Sequence, residues 1–242
     1  MEISSIVLLI VFCTGASVIQ RVSGFGFGIF IMTMLPHIMP SYGEATTLSG
    51  ILSALQSLYV LTTVYRLIDW RRVIPILLTF IVVSYFAVQY VSVAADVHLK
   101  HLLGVVLILM SCYFLLISEK IHLRPTLPVQ ISMGTLSGLM GGLFAMQGPP
   151  AVLYFVASET DKERYLASTQ VYFFIGNSIM TLYRAQSGFL TSTVGYGCLY
   201  AFVGVIVGTQ IGKQLFNKMS IVILRKVIYA YMAVAGVIAL LA

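Results

Sequence analysis

Two interruptions rich in glycine or proline are the places in this sequence where backbone groups could bind a ligand. The stretch Ser23-Gly24-Phe25-Gly26-Phe27-Gly28 lies inside an apolar run from Ile3 to Pro40, and Gln147-Gly148-Pro149-Pro150 lies about half a chain later. That run exceeds the ~20 residues that a membrane helix needs, so the chain must break within it. Glycine tolerates backbone angles that end a helix, and proline suits the first turn of one. Each interruption therefore predicts a new helix N-terminus, whose free N–H groups favour an anion.

The glycines have a second interpretation, because small residues also let helices pack closely in a membrane. Packing alone does not account for a break at the same point in both halves, where Gly26 and Gly148 are 122 positions apart. We therefore favour a ligand site made by the backbone of the two breaks. Its predicted members are Gly24, Gly26 and Gly28 in the first break and Gly148 and Pro149 in the second.

Charged and amide side chains near the breaks could complete a site for an anion. Arg21 adjoins the first break, where it could neutralise an anion or extend to the membrane surface, and Gln147 adjoins the second. Two later segments carry polar stripes at helical spacing. The stripes contribute Ser49, Ser53 and Gln56 from the first half and Gln170 and Asn177 from the second. We expect Gln56 and Asn177 to orient the anion's oxygens, although polar side chains also join helices, at ~0.6 kcal/mol per contact.

Neither catalysis nor a cofactor is indicated by the remaining reactive residues. The four histidines lie near predicted span ends or in loops, and neither they nor the three cysteines show metal-ligand spacing. An intramembrane hydrolase would need a serine or cysteine beside a histidine at membrane depth, so we disfavour that class. The residues in question are His37, His98, His101, His122, Cys13, Cys112 and Cys198.

The composition is that of a membrane protein. Of 242 residues, 59% are hydrophobic and only 9% are charged, whereas a soluble domain carries roughly 25% charged residues. Long apolar runs without alternating strands predict an all-α polytopic fold with the lipid bilayer as partner. The net charge of +6 is attributed to membrane orientation rather than to a nucleic-acid partner.

The order of the predicted segments indicates two repeats, residues 1–122 and 123–242. The first comprises a broken-helix hairpin over residues 3–40, whose short second helix runs from about Ile29 to Met39, and helices at about 45–65, 73–93 and 99–117. The second comprises a hairpin over residues 129–157 and helices at about 165–183, 194–211 and 221–241. Transporters are often built from such repeats in inverted orientation.

The distribution of lysine and arginine separates two topologies. If each broken segment crossed the membrane once, six basic residues would lie on one side and seven on the other. If each broken segment returns to the side it entered from, eleven lie on one side, against Lys100 and Arg184 on the other, with Arg21 at the first break. The second arrangement predicts inverted repeats in the cytoplasmic membrane with both termini outside the cytoplasm.

The glycine-rich motifs resemble those of the sulfite exporter TauE/SafE family. The resemblance is carried by the Gly24–Gly28 stretch with Pro36 following, and by the segment from Gly138 to Phe144 that leads to Gly148-Pro149-Pro150. It covers essentially the whole chain. It implies transport of small sulfur-containing anions such as sulfite, or of organosulfonates and other small carboxylates, across the cytoplasmic membrane. This chain departs from the family's glycine-rich second motif at Ala145, Met146 and Gln147.

The predicted function is transport of a small anion by alternating access, with the anion held between the two breaks. Arg21 would supply charge, and backbone near Gly26 and Gly148 would supply N–H donors. A passive anion channel is an open alternative, because the sequence does not separate a channel from a carrier. Whether the protein forms a homo-oligomer is equally open.

Overall fold

The computed structural model describes residues 3–116, 125–159 and 161–216, and every regular element within these ranges is helical. The helices are α1 (Ile3–Ser23), α2 (Phe27–Ile31), α3 (Leu35–Ile38), α4 (Tyr42–Val64), α5 (Trp70–Val93), α6 (Asp96–Leu116), α7 (Leu127–Phe144), α8 (Gly148–Ser158), α9 (Lys162–Gln186) and α10 (Ser192–Phe216), with a 3₁₀ turn at Tyr65–Leu67. The prediction of an all-α fold is confirmed. The predicted helix at 221–241 and the boundary between residues 122 and 123 lie outside the described residues.

Several helices differ in extent from their prediction. The short helix expected from Ile29 to Met39 is two helices, α2 and α3, separated by a turn in which the Thr33 hydroxyl donates to the Phe30 carbonyl at 2.7 Å. Pro36 lies in the first turn of α3, where its missing N–H is tolerated, whereas it could not donate the backbone hydrogen bond of a continuous helix. Helix α6 begins at Asp96 rather than Leu99, since an acidic first turn suits a helix N-terminus.

Helix α9 is longer at both ends than predicted, because its caps lie outside the apolar segment. The Asp161 carboxylate accepts N–H groups of Glu163 and Arg164 at 2.7 and 3.0 Å, which is a typical N-cap. At the other end, the Phe189 N–H donates to the Arg184 carbonyl at 2.9 Å and Gly188 adopts φ 81°, as in a Schellman C-cap. Arg184 is therefore a helical residue, not the loop residue that the charge count assumed.

Three pairs of helices form the body of the molecule: α1 with α10, α5 with α7, and α4 with α9. In the first two pairs, one helix carries glycines at every fourth position, and an added Cβ would press on atoms of the partner helix. These glycines are Gly204, Gly208 and Gly212 on α10 and Gly134, Gly138 and Gly142 on α7. Rows of small residues let membrane helices approach closely, so each broken helix is packed against an unbroken one.

Contacts between distant segments define which ends of the helices lie together. The Arg72 guanidinium pairs with the Glu159 carboxylate at 3.2 Å, which joins the start of α5 to the loop before α9. Gly43, at the start of α4, lies against the ring of Phe189, which follows α9. Helices α4 and α9 therefore run antiparallel. The Gln130 amide donates to the Tyr154 hydroxyl at 2.7 Å, so α8 returns alongside α7.

The surface and the interior have the polarity expected of a membrane protein. Among the described residues, four helical segments are long and apolar enough to cross a bilayer: Ser4–Ser23, Tyr42–Leu67, Trp70–Val93 and Ser192–Leu215. Large apolar side chains such as Phe86 and Leu199 are 67% and 70% exposed. Hydroxyl and amide side chains are concentrated in the interior. There they can find hydrogen-bond partners, which apolar lipid would not provide.

Candidate functional site

The first break separates α1 from α2 through two glycines in left-handed geometry. Gly24 has φ 85° and Gly26 has φ 104°, angles that only glycine adopts without strain. The Ser23 hydroxyl lies 2.6 Å from the Phe25 carbonyl oxygen and fixes the turn. Gly26 is the N-cap of α2, and the first intrahelical bond runs from Phe30 N–H to its carbonyl at 2.9 Å. The N–H groups at positions 27–29 therefore have no acceptor within the helix.

The second break is built differently. Helix α7 ends at Phe144 and is followed by its C-cap residue Ala145 at φ 56°, whose N–H donates to the Gly141 carbonyl at 2.9 Å. A left-handed alanine costs roughly 1–2 kcal/mol. Helix α8 begins at Gly148 with two prolines in its first turn, and proline has no N–H. Gly148 is thus the one residue of the first three helical positions that offers a backbone donor.

The two breaks lie against each other. A Cβ added to Gly28 would overlap the carbonyl oxygen of Ala145, and one added to Gly148 would lie 3.3 Å from the Cβ of Phe25. Between them is a small cavity of about 20 Å³, where one water needs roughly 10–15 Å³. The residues that line it are Gln20, Gly26, Gly28, Ile29, Ser53, Ala145, Met146, Gln147, Gly148, Phe173 and Asn177.

The polar groups of this cavity are uncharged and come from four helices or their caps. The Asn177 amide donates to the Ser53 hydroxyl at 3.1 Å, and the Gln20 amide donates to the Ser57 hydroxyl at 3.2 Å. The Gln147 amide donates to the Phe173 carbonyl at 3.4 Å, while its Oε1 is buried without a hydrogen-bond partner. Among the residues that the structure describes, no carboxylate lines the cavity. The cavity wall therefore offers hydrogen bonds to a small polar ligand, and it carries no negative charge that would repel an anion.

Six of the twelve predicted site residues line the cavity, namely Gly26, Gly28, Ser53, Gln147, Gly148 and Asn177. Of the others, Gln170 donates to the Gly24 carbonyl at 3.1 Å and so holds the first break. Ser49 is buried, with its Oγ 3.7 Å from the position of a Cβ on Gly28. Pro149 lies in the first turn of α8.

Gln56 and Asn177, which the sequence predicts to orient the anion's oxygens together, have different surroundings in this structure, because Asn177 lines the cavity and Gln56 does not. The Gln56 amide points to α1 and donates to the Ser17 carbonyl at 2.7 Å, while Asn177 bonds Ser53. Arg21 also lies outside the cavity, because its Cβ and Cγ pack at Gly212 of α10. Of the five lining residues that the sequence did not predict, the one with a polar side chain is Gln20, the neighbour of Arg21, which is 2% exposed. Helical spacing from the buried residues Cys13 and Ser17 could have identified Gln20.

A second residue that sequence reasoning misplaced is Arg184, which is 0% exposed. Its Nη1 donates to the Thr46 carbonyl at 3.1 Å, and its Nη2 donates to the carbonyls of Gly141 and Gly142 at 2.9 and 3.2 Å. It thereby joins α4, α7 and α9. A cation is favourable at the C-terminal end of a helix such as α7, where carbonyl groups lack intrahelical partners.

A helical membrane protein in which two interrupted helices meet at a small cavity with polar groups in its wall has the architecture of a transporter. The chain belongs to the sulfite exporter TauE/SafE family, whose sequence model matches residues 7–239. It is therefore a membrane transporter and not an enzyme. A relative from Cupriavidus necator, named "Probable sulfite/organosulfonate exporter TauE", is 23% identical over 221 residues, which cover 90% of this chain and 86% of the relative. No solved structure matches the chain at a significant level.

Proposed function

We propose that the protein carries sulfite, or a small organosulfonate of similar size, across the cytoplasmic membrane by alternating access, with the cavity between the two breaks as the binding site. The observation that carries this proposal is the contact of both breaks around one cavity, whose described lining residues include no carboxylate. Backbone N–H groups of Gly28 and Ile29 and the amide of Asn177 are donors suited to the oxygens of such an anion. The name of the Cupriavidus necator relative agrees with this substrate class.

The size of the cavity supports a carrier that closes around its substrate. About 20 Å³ accommodates little more than one water molecule, so an anion with three oxygens would require the breaks to separate. Rigid-body movement of one half against the other is the usual way in which such sites open in transporters. The contact between Gly28 and the Ala145 carbonyl would then loosen when substrate enters.

The helix pairing supports inverted repeats. If α1 corresponds to α7, α5 to α10 and α4 to α9, then the pair α1–α10 of one half corresponds to the pair α7–α5 of the other. The pair α4–α9 corresponds to itself. The Arg72–Glu159 ion pair brings together two loops that the hairpin topology assigns to the same membrane face. With Arg184 buried, the excess of basic loop residues on the proposed cytoplasmic side increases. Both termini would then lie outside the cytoplasm, and a reporter active in the cytoplasm when fused after Ala242 would contradict that orientation.

A matched pair of substitutions tests the site. Asn177→Ala removes an amide from the cavity wall, whereas Gln56→Ala removes an equally buried amide that bonds α1. We expect Asn177→Ala to reduce sulfite uptake into proteoliposomes by at least about tenfold, corresponding to 1.4 kcal/mol, and Gln56→Ala to reduce it less than threefold. Equal loss in both folded variants would contradict the assignment of the cavity.

Counterflow distinguishes a carrier from a channel. Proteoliposomes loaded with unlabelled sulfite should accumulate labelled sulfite transiently above its external concentration, because a carrier exchanges substrate through one alternating site. A channel would only equilibrate the label. Simple equilibration would therefore refute alternating access while leaving anion transport intact.

A further inference from the structure

Arg184 is a charged side chain held entirely inside the protein, and its hydrogen bonds do not neutralise it. All three of its acceptors are backbone carbonyls, and the ion pairs between described residues do not include it. Its Nε is also buried without a hydrogen-bond partner. Placing such a charge in a membrane is costly. Neutral amides such as Gln56 and Gln170 already bond carbonyls across helices in this protein, so bonding alone does not account for the charge.

The guanidinium lies close to the cavity. A Cβ on Gly50 would lie 3.1 Å from Arg184 Nη1 and 3.9 Å from Asn177 Oδ1, so these two atoms are at most about 7 Å apart. Its acceptor Gly141 is also adjacent to the cavity, since a Cβ there would lie 3.0 Å from the Cβ of Gln147. Both Asn177 and Gln147 line the cavity wall.

The electrostatic consequence follows from burial. A charge at this distance acts on the cavity through protein rather than water, where screening is weak. In the part of the chain that the structure describes, the cavity wall has no carboxylate to offset this charge. Arg21, the cation that sequence position suggests, packs at Gly212 between α1 and α10 and does not line the cavity.

We infer that Arg184 is the positioning and selectivity residue of this transporter: its fixed charge, transmitted across the Asn177 side of the wall, makes the cavity prefer anions and favour two negative charges over one. This inference rests on the proposed function, because it concerns the same cavity. The positive charge that favours anions then comes from a residue that binds carbonyl groups of α7 and need not touch the substrate.

Three compounds of nearly equal size and shape test it: sulfate with two negative charges, methanesulfonate with one, and dimethyl sulfone with none. Each is added as a competitor of labelled sulfite uptake in proteoliposomes. The wild-type protein should be inhibited in the order sulfate, methanesulfonate, dimethyl sulfone. Arg184→Gln should reduce the preference for sulfate over methanesulfonate by at least about fivefold and leave inhibition by dimethyl sulfone unchanged. A purely structural role would change all three inhibition constants by the same factor.

The controls separate this inference from the proposed function. Arg184→Lys keeps the charge, and Arg21→Gln removes a charge away from the cavity, so both should keep the wild-type preference. A wild-type protein without sulfite uptake refutes the proposed function, whereas normal uptake with an unchanged preference in folded Arg184→Gln refutes only the role of Arg184. If the Arg184 variants do not fold, the wild type and Arg21→Gln test the inference. Equal inhibition of wild type by all three compounds, or loss of the preference in Arg21→Gln, overturns the inference.

Discussion

The two chain breaks lie against each other, but different residues and backbone angles form them. The first uses glycines at φ 85° and 104° and leaves the N–H groups at positions 27–29 without an acceptor within α2. The second uses a left-handed alanine at φ 56° and then Gly148 followed by two prolines, which remove donors. The first break is thus suited to supply backbone donors, while the second supplies the side chain of Gln147 and a rigid start for α8.

The difference shows that two fold-backs of one chain can have similar backbone courses and still offer different hydrogen-bonding groups. Each break is also held by its own support. Gln170 of α9 bonds the Gly24 carbonyl of the first break, and the Ser137 hydroxyl of α7 bonds the Gln147 carbonyl of the second. If the cavity is the proposed binding site, its two sides would contact the two ends of an anion differently, as a sulfonate with one apolar substituent would require.

The largest effect is expected from separating the breaks. A methyl group on Gly28 would overlap the Ala145 carbonyl, and because both sides of the contact are backbone, the breaks must move apart. We expect Gly28→Ala to abolish transport and to lower the thermal unfolding temperature in detergent by several degrees. Gly195→Ala on α10 is the matched control, since nothing lies within 4 Å of its added Cβ. A Gly28→Ala protein with wild-type stability and uptake would refute the contact.

A reciprocal exchange tests the different backbone solutions. Gly26→Ala places a side chain at φ 104° and 3.0 Å from Ile19 Cγ2, so it should destabilise the protein by roughly 1–3 kcal/mol. Ala145→Gly removes a strained left-handed alanine, so it should be neutral or stabilise by up to about 1 kcal/mol. Chemical or thermal unfolding of both variants measures the comparison. Destabilisation of equal size in both would show that the second break is not strained.

A smaller effect is expected from the support of the second break. The Ser137 hydroxyl donates to the Gln147 carbonyl and accepts from the Tyr172 hydroxyl at 2.7 Å. Ser137→Ala should cost about 1–3 kcal/mol, because two buried polar groups lose their partner. Ser92→Ala, on the exposed end of α5, removes a hydroxyl that bonds only its own helix and should change stability by less than 0.5 kcal/mol. Unfolding transitions that shift equally would contradict the role of Ser137.

The smallest effect concerns Arg21. Because its side chain packs toward α10 rather than into the cavity, Arg21→Gln should change the half-saturating sulfite concentration by less than about threefold. Initial uptake rates over a range of sulfite concentrations measure this. A tenfold increase would restore Arg21 as the substrate's counter-charge.

The fold and the position of the breaks were predictable because they depend on composition and local residue types. Glycines and prolines inside long apolar runs mark the interruptions wherever the helices later pack. The direction of each side chain depends on tertiary packing, and here sequence reasoning was weaker. Gln56 and Gln20 are both buried amides on helices, yet only Gln20 faces the cavity. Arg184 was misplaced because its position at a segment end resembles a loop charge, whereas α9 continues past it to Gln186.

Protection of a cavity cysteine by substrate tests the central claim most directly. Met146 lines the cavity, so Met146→Cys in a protein otherwise lacking cysteine should react with a thiol reagent when the breaks separate, and sulfite should slow that reaction with the same concentration dependence as transport. A cysteine introduced at the exposed position Ser92 should react at a rate independent of sulfite. If sulfite saturates transport while the cysteine at position 146 reacts at an unchanged rate, the anion binds elsewhere and the site between the two breaks is contradicted.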